Sequence, residues 1–167
     1  AAAMLSWMFC DVVVNKKPTF VGACTGMVAG LVGITPGAGF VPVWAALIIG
    51  LTTSPICFFM ISWVKEKFGY DDALDAFGCH GVGGIWGGIC TGLFCKVSIN
   101  DIGQGNGLFF GASIGITIVV SVAGTLICYG ITRLVTGKIR VTEREERVGL
   151  DRSQHGESAY PSFNGLD

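Results

Sequence analysis

Charge is scarce in this sequence. Asp, Glu, Lys and Arg make up 14% of its 167 residues, against roughly 25% in a soluble domain. Three stretches have none: residues 18–64 (47 in a row), 76–95 (20) and 102–132 (31). About 20 apolar residues cross the hydrocarbon core of a bilayer, so these runs exclude an ordinary soluble domain and read as membrane-spanning helices. The net charge of −1 is uninformative by itself, and nucleic acid is not expected as a partner.

Paired cysteines are missing as well. The seven cysteines (Cys10, Cys24, Cys57, Cys79, Cys90, Cys95 and Cys128) are odd in number, irregularly spaced, without any CxxC, and confined to apolar segments. That pattern argues against a disulfide framework or zinc site and for small packing side chains. Histidine is limited to His80 and His155, so no metal site and no cofactor are expected. No nucleophile and base pair and no phosphate loop is present, which argues against an enzyme. An initiator Met and a charged leader are also absent. Residues 1–14 read as the second part of an apolar helix, so a signal peptide is disfavoured and the chain is expected to begin inside a transmembrane helix.

What is abundant is apolar surface and glycine, 51% and 26 residues. Turn signals divide the apolar runs into a half helix over 1–14 and spans over 18–35, 42–64, 73–95 and 106–135. The breaks are Asp11 to Pro18, Thr35 to Gly39, Lys65 to Asp72 and Lys96 to Asn106. With alternate loops on one side, that side receives Lys16, Lys17, Lys65, Lys67, Arg133, Lys138, Arg140, Arg144, Arg147 and Arg152, ten of the eleven basic residues. Lys96 alone falls opposite. The positive-inside rule then places the C-terminus in the cytoplasm. The expected architecture is an all-α, polytopic transmembrane bundle over 1–135 with a cytoplasmic tail over 136–167.

Glycines recur every four residues at Gly22, Gly26 and Gly30, at Gly84, Gly88 and Gly92, and at Gly107, Gly111 and Gly115. Each set would line one helix face and let a neighbouring backbone approach, as membrane helices require. Trp44 and Trp63 bracket the 42–64 span like interfacial belt residues, and Trp86 reads as packing.

Two side chains on the 73–95 span are costly in lipid, Asp75 near its cytoplasmic end and His80 deeper in. At 1.5 Å per residue, His80 lies roughly 12 Å in from Asp72, near the middle of a core about 30 Å thick. It reads as a neutral core histidine, a ligand or a pathway residue. Gly84, Gly87 and Thr91 on its face would leave open volume beside the ring, which favours the pathway. Asp75 suits the positive end of the helix dipole, where it would satisfy free backbone N–H groups and also attract or release a cation. In the tail, Thr142 and Glu145 form a capping-box pattern with Gly149 as the stop.

The string from Asp75 through His80 to Gly87, DAFGCHGVGGIWG, resembles the signature of the Amt/Mep/Rh superfamily of ammonium transporters. So do GMVAGLVGITPGAGF from Gly26 and GLDRSQHGESAY from Gly149. His80 followed by Gly-Val-Gly-Gly indicates the Amt/Mep branch. The resemblance implies an eleven-helix protomer with inverted repeats, of which this chain would hold part of helix 7 and helices 8 to 11, assembled as a homotrimer in the plasma membrane. It implies ammonium or ammonia as substrate, His80 as one of two paired pore histidines, and Asp75 and Ala76 at the inner vestibule. In the tail, Gly149, Leu150, Asp151, His155, Gly156, Glu157 and Tyr160 would couple protomers and, in a prokaryote, respond to a PII-type regulator. An ammonium sensor signalling through its tail, and a poreless membrane scaffold, are the rival readings.

Overall fold

Each apolar run folds as helix. The computed structural model describes residues 1–101 and 107–159, and the secondary structure among them is helical throughout. Helix α1 is Ala2–Asn15, and α2 is Phe20–Ile34, closed by a 3-10 turn at Thr35–Gly37. Helix α3 spans Val43–Phe68 with a π-helical stretch at Met60–Val64. A π-helical stretch at Phe77–Val82 runs into an α-helix at Gly83–Phe94, and the two together are α4. Helix α5 is Gly107–Thr136, and α6 is Glu143–Val148, followed by a π-turn at Asp151–His155. Among the described residues, three stretches are long and apolar enough to cross a membrane: Phe20–Gly37, Val43–Phe68 and Gly115–Thr136.

Two boundaries differ from expectation. Helix α3 continues past Val64 because Lys65, Glu66 and Lys67 are good helix formers, and Gly69 stops it in the left-handed conformation at φ 60°. Helix α4 begins later than residue 73, at Phe77, because Asp72 rather than Asp75 takes its free N–H groups. The Asp72 carboxylate accepts from Ala76 N at 2.9 Å and Phe77 N at 2.8 Å. His80 is therefore in the first turn of α4, and the depth reckoned along a helix from Asp72 does not hold. The predicted break over 96–106 lies partly outside the described residues.

The chain divides into two units, Ala1–Ser121 and Val122–Asp167. In the first, α1, α2 and α3 pack on one another and α4 packs on α2 and α3. The packing of α1 on α2 uses the predicted glycines of α2: a Cβ on Gly26 would overlap Trp7, and one on Gly30 would overlap Ala3, both on α1. Trp7 in turn meets Phe58 of α3 edge-on at 5.4 Å. On α4, Gly88 and Gly92 of the expected stripe are buried, but the closest approach to α2 and α3 is made by a neighbouring face. Gly84 and Gly88 would each meet one atom at 4.0 Å, whereas a Cβ on Gly87 would overlap the Gly33 carbonyl and one on Gly83 would lie 3.2 Å from Cys57 Sγ. Gly115 has nothing within 4 Å.

Several polar groups on these helices are satisfied by bonds within the bundle. Pro55 inside α3 has no N–H for the carbonyl of Leu51, and Ser6 Oγ of α1 donates to that oxygen at 2.9 Å. The buried Ser54 Oγ donates to Ala3 O at 2.6 Å. Trp86 Nε1 donates to Thr52 Oγ1 at 2.9 Å, a packing role as read from the sequence. Thr25, Thr35, Thr53, Thr91, Thr132 and Thr136 each donate to the carbonyl four residues back, which leaves methyl groups to face neighbours or lipid. In the second unit, residues 122–136 of α5 are largely exposed and apolar, as a lipid-facing helix would be.

Candidate functional site

Between the first turns of α2 and α4 the packing opens into a cleft of about 360 Å³, lined by Phe20, Val21, Cys24, Thr25 and Val28 on one side and Leu74, Cys79 and His80 on the other. The walls are mostly apolar. His80 is exposed to the cleft, and its ring has no hydrogen bond among the described residues. The packed alternative, an imidazole bonded to a neighbour's carbonyl, is not what the geometry shows. Nor is a ligand set: the described residues contain no cluster of three His, Cys, Asp or Glu able to hold a metal.

The open volume has a different origin from the one expected. Gly87 and Thr91 are buried, Gly87 against the backbone of Gly33 and Thr91 beside Gly37. They draw α4 onto α2 beyond the cleft and do not line it. Space beside His80 arises where the π-helical turn Phe77–Val82 meets the start of α2. Such turns use an i to i+5 hydrogen-bond pattern and are frequent at functional sites. Opposite the cleft, the turn is seated by Ile61, which occupies the place a Cβ on Gly78 would take.

Asp75 and Ala76 lie just before this turn. Ala76 is exposed, and its N–H is held by Asp72. Asp75 adopts a left-handed φ of 54° and does not cap the helix; its Oδ1 accepts from Lys65 Nζ at 2.6 Å. The cleft lining includes Leu74 and Cys79 but not Asp75.

Sequence reasoning missed a buried acid. Asp11 is 3% exposed. Its carboxylate accepts from Asn15 Nδ2 at 3.1 Å, Thr19 N at 3.2 Å and Thr19 Oγ1 at 2.9 Å. Thr19 Oγ1 accepts in turn from Gly22 N at 2.9 Å, the N-cap bond of α2. The pair pins the start of the helix that forms one cleft wall. A signal existed: Thr19 is a good N-cap residue, and Asp11 and Asn15 are one helical turn apart.

The second unit contains the tail residues. The capping box forms as predicted, with Thr142 N and Oγ1 donating to Glu145 Oε2 at 2.8 and 2.6 Å and Glu145 N donating back at 3.4 Å. Gly149 ends α6 at φ 99°. The Thr142 hydroxyl and N–H hold the Glu145 carboxyl below its ordinary range. Gln154 Nε2 donates to Glu145 Oε1 at 2.9 Å, and Ser153 Oγ to Gly149 O at 2.9 Å, so the π-turn folds back on α6. Asp151 closes the far end: its Oδ2 accepts from Ala159 N at 3.1 Å, which lowers its pKa, and its backbone oxygen accepts from Glu157 N at 2.9 Å. Leu150 is 44% exposed, His155 is exposed, and Gly156 turns the chain at φ 67°. Tyr160 lies outside the described residues.

With this geometry in place, a model of the Ammonium Transporter Family matches residues 1–160. The chain belongs to the ammonium transporter family. It is 49% identical over 168 residues to the ammonium transporter of Bacillus subtilis, covering 96% of this chain and 41% of that protein. It is 36% identical to ammonium transporter Amt1 of Archaeoglobus fulgidus over 96% of this chain and 42% of that one. The crystal structure of Saccharomyces cerevisiae Mep2 superposes with a TM-score of 0.75 at 33% identity, over 99% of this chain and 40% of Mep2. The chain thus spans about two fifths of the length of these relatives. Family membership and the apolar helices together make it part of an integral membrane protein with the ammonium transporter fold, and the family is one of transporters, not enzymes.

Proposed function

We propose that the protein conducts ammonium across the plasma membrane, passing it as ammonia along the cleft beside His80. The observation that carries this reading is the exposed imidazole, without a protein partner, in an otherwise apolar seam between two membrane helices. A bare cation is expensive in such a passage, and neutral ammonia is not. One imidazole nitrogen accepts and the other donates, so the ring can hydrogen-bond ammonia and hand on a proton without carrying a fixed charge. Asp75 and Ala76 would stand at the inner mouth. The concentration of basic residues on one side supports a cytoplasmic C-terminus and residues 136–167 as a cytoplasmic tail.

Homotrimeric assembly is part of the same proposal, as is regulation through Gly149 to Tyr160, by a PII-type protein if the source is prokaryotic. The ordered tail supports a regulatory element, and it equally suits the rival reading, an ammonium sensor with little flux. The deciding experiment is ammonium-evoked current or uptake in vesicles carrying a protein of full family length that includes this segment. His80→Ala is expected to abolish transport or its selectivity for ammonium while the protein remains folded. Unchanged flux and selectivity in that variant would refute the assignment.

A further inference from the structure

We infer that Lys65 is a positioning residue: through Asp75 it fixes the first turn of α4 and hence the place of His80 in the cleft. The inference rests on reading that cleft as the substrate path.

Three observations converge on this turn. Lys65, near the end of α3, reaches across ten residues of sequence to Asp75 Oδ1 at 2.6 Å. Asp75 is in a left-handed conformation at φ 54°, which a non-glycine residue keeps only where its surroundings over-determine it. Its own backbone carbonyl accepts the first bond of the turn, from Cys79 N at 3.0 Å, and Cys79 immediately precedes His80. Any rotation of Asp75 out of this conformation would re-aim that carbonyl and the turn with it. The Asp75 carboxylate is free for Lys65 because Asp72 already satisfies Ala76 N and Phe77 N. Tyr70 adds a third strut, its ring edge-on to Phe77 at 6.0 Å.

Magnitude separates positioning from general stabilisation. The two side chains are 27% and 31% exposed, and an ion pair that open contributes little to global stability. Its consequence should be local, confined to the turn it holds.

The test uses a protein of full family length in lipid vesicles, with Lys65→Met and Lys65→Arg. Hydrogen exchange of amides 76–80 reads the turn; initial rates over a range of ammonium concentrations read transport. Lys65→Met is expected to speed exchange at 76–80 without lowering the melting temperature. It should also cut the maximal rate by up to about a hundredfold, the scale on which a misplaced group costs rate, with half-saturation unchanged. Lys65→Arg, which keeps the charge and reach, should restore both. Exchange at the wild-type level in Lys65→Met overturns the role of Lys65, whatever the flux. Faster exchange with wild-type flux leaves the clamp standing and overturns the His80 reading on which the inference rests. A general loss of protection across the bundle, with a lower melting temperature, would make Lys65 a stability residue and overturn the inference as well.

Discussion

At one end of the seam between α2 and α4, the backbones of Gly33 and Gly87 touch; at the other, Cys24, Val28 and His80 line an open cleft. The same two helices make both. At the closed end neither partner has a side chain, so the axes come together until backbone meets backbone. Towards the cleft, Val32 stands opposite Gly83 and Gly84, and beyond it both walls carry full side chains. On this reading, side-chain size growing along the seam adds to the π-helical turn and wedges the helices apart. An open cleft thus stands beside a tight contact: small residues set the pivot and larger ones prop the far end.

The largest effect is expected from breaking the pivot. A Cβ on Gly87 already overlaps the Gly33 carbonyl, and neither backbone can move without carrying its helix. Gly87→Leu should cost at least about 3 kcal/mol, the upper end of overpacking penalties, and should abolish transport together with folding. Size-exclusion profiles and thermal unfolding in detergent would check this. A monodisperse Gly87→Leu protein with wild-type stability would show that the seam is not set by backbone contact.

A second, smaller effect concerns the open end. Its α2 wall is pinned by Asp11 and Thr19. Asp11→Ala removes the buried, charged acceptor of three part-buried bonds from Thr19 N, Thr19 Oγ1 and Asn15 Nδ2, a loss of about 2 kcal/mol, the scale for bonds to a charged group. Thr19→Ala removes the cap on Gly22 N and one of the three donors to Asp11, leaving Thr19 N and Asn15 Nδ2 in place, and should cost about 1 kcal/mol. Unfolding of the two variants measures the ratio, and equal losses would mean that Asp11 acts only through the cap.

Much of this comparison could be read from residue order. Charge-free runs marked the spans because lipid tolerates no unpaired charge, and the Gly22, Gly26, Gly30 stripe was legible because a four-residue period stays on one face over three turns. Thr142 and Glu145 were legible because a capping box is local in sequence. The α4 glycines were not. Gly78, Gly81, Gly83, Gly84, Gly87, Gly88 and Gly92 offer several faces, and the choice is made by where Gly33, Val32 and Cys57 stand on other helices. Asp71, Asp72 and Asp75 posed the same difficulty: any could cap α4, and nothing local in sequence says that Asp72 takes the cap while Asp75 pairs with Lys65 of the preceding helix. His80 was legible as the one histidine within an apolar run. Its cleft was not, because a π-helical turn leaves no mark in hydrophobic periodicity.

The smallest effect should come from the middle of the seam and is the sharpest test of the wedge. A Cβ on Gly84 would meet only Val32 Cγ1, at 4.0 Å, ordinary contact distance. Gly84→Ala should therefore change stability by no more than about 0.5 kcal/mol, the added methyl being offset by lower backbone entropy in the unfolded chain. Unfolding of Gly84→Ala beside Gly87→Ala would measure it, since the two sites differ by less than one helical turn and the substitution is the same. Because Gly87→Ala already forces its methyl into the Gly33 carbonyl, a wedge predicts a steep difference between the pair. Equal costs would mean that α2 and α4 run parallel at constant separation, and that the cleft owes its volume to the π-helical turn alone.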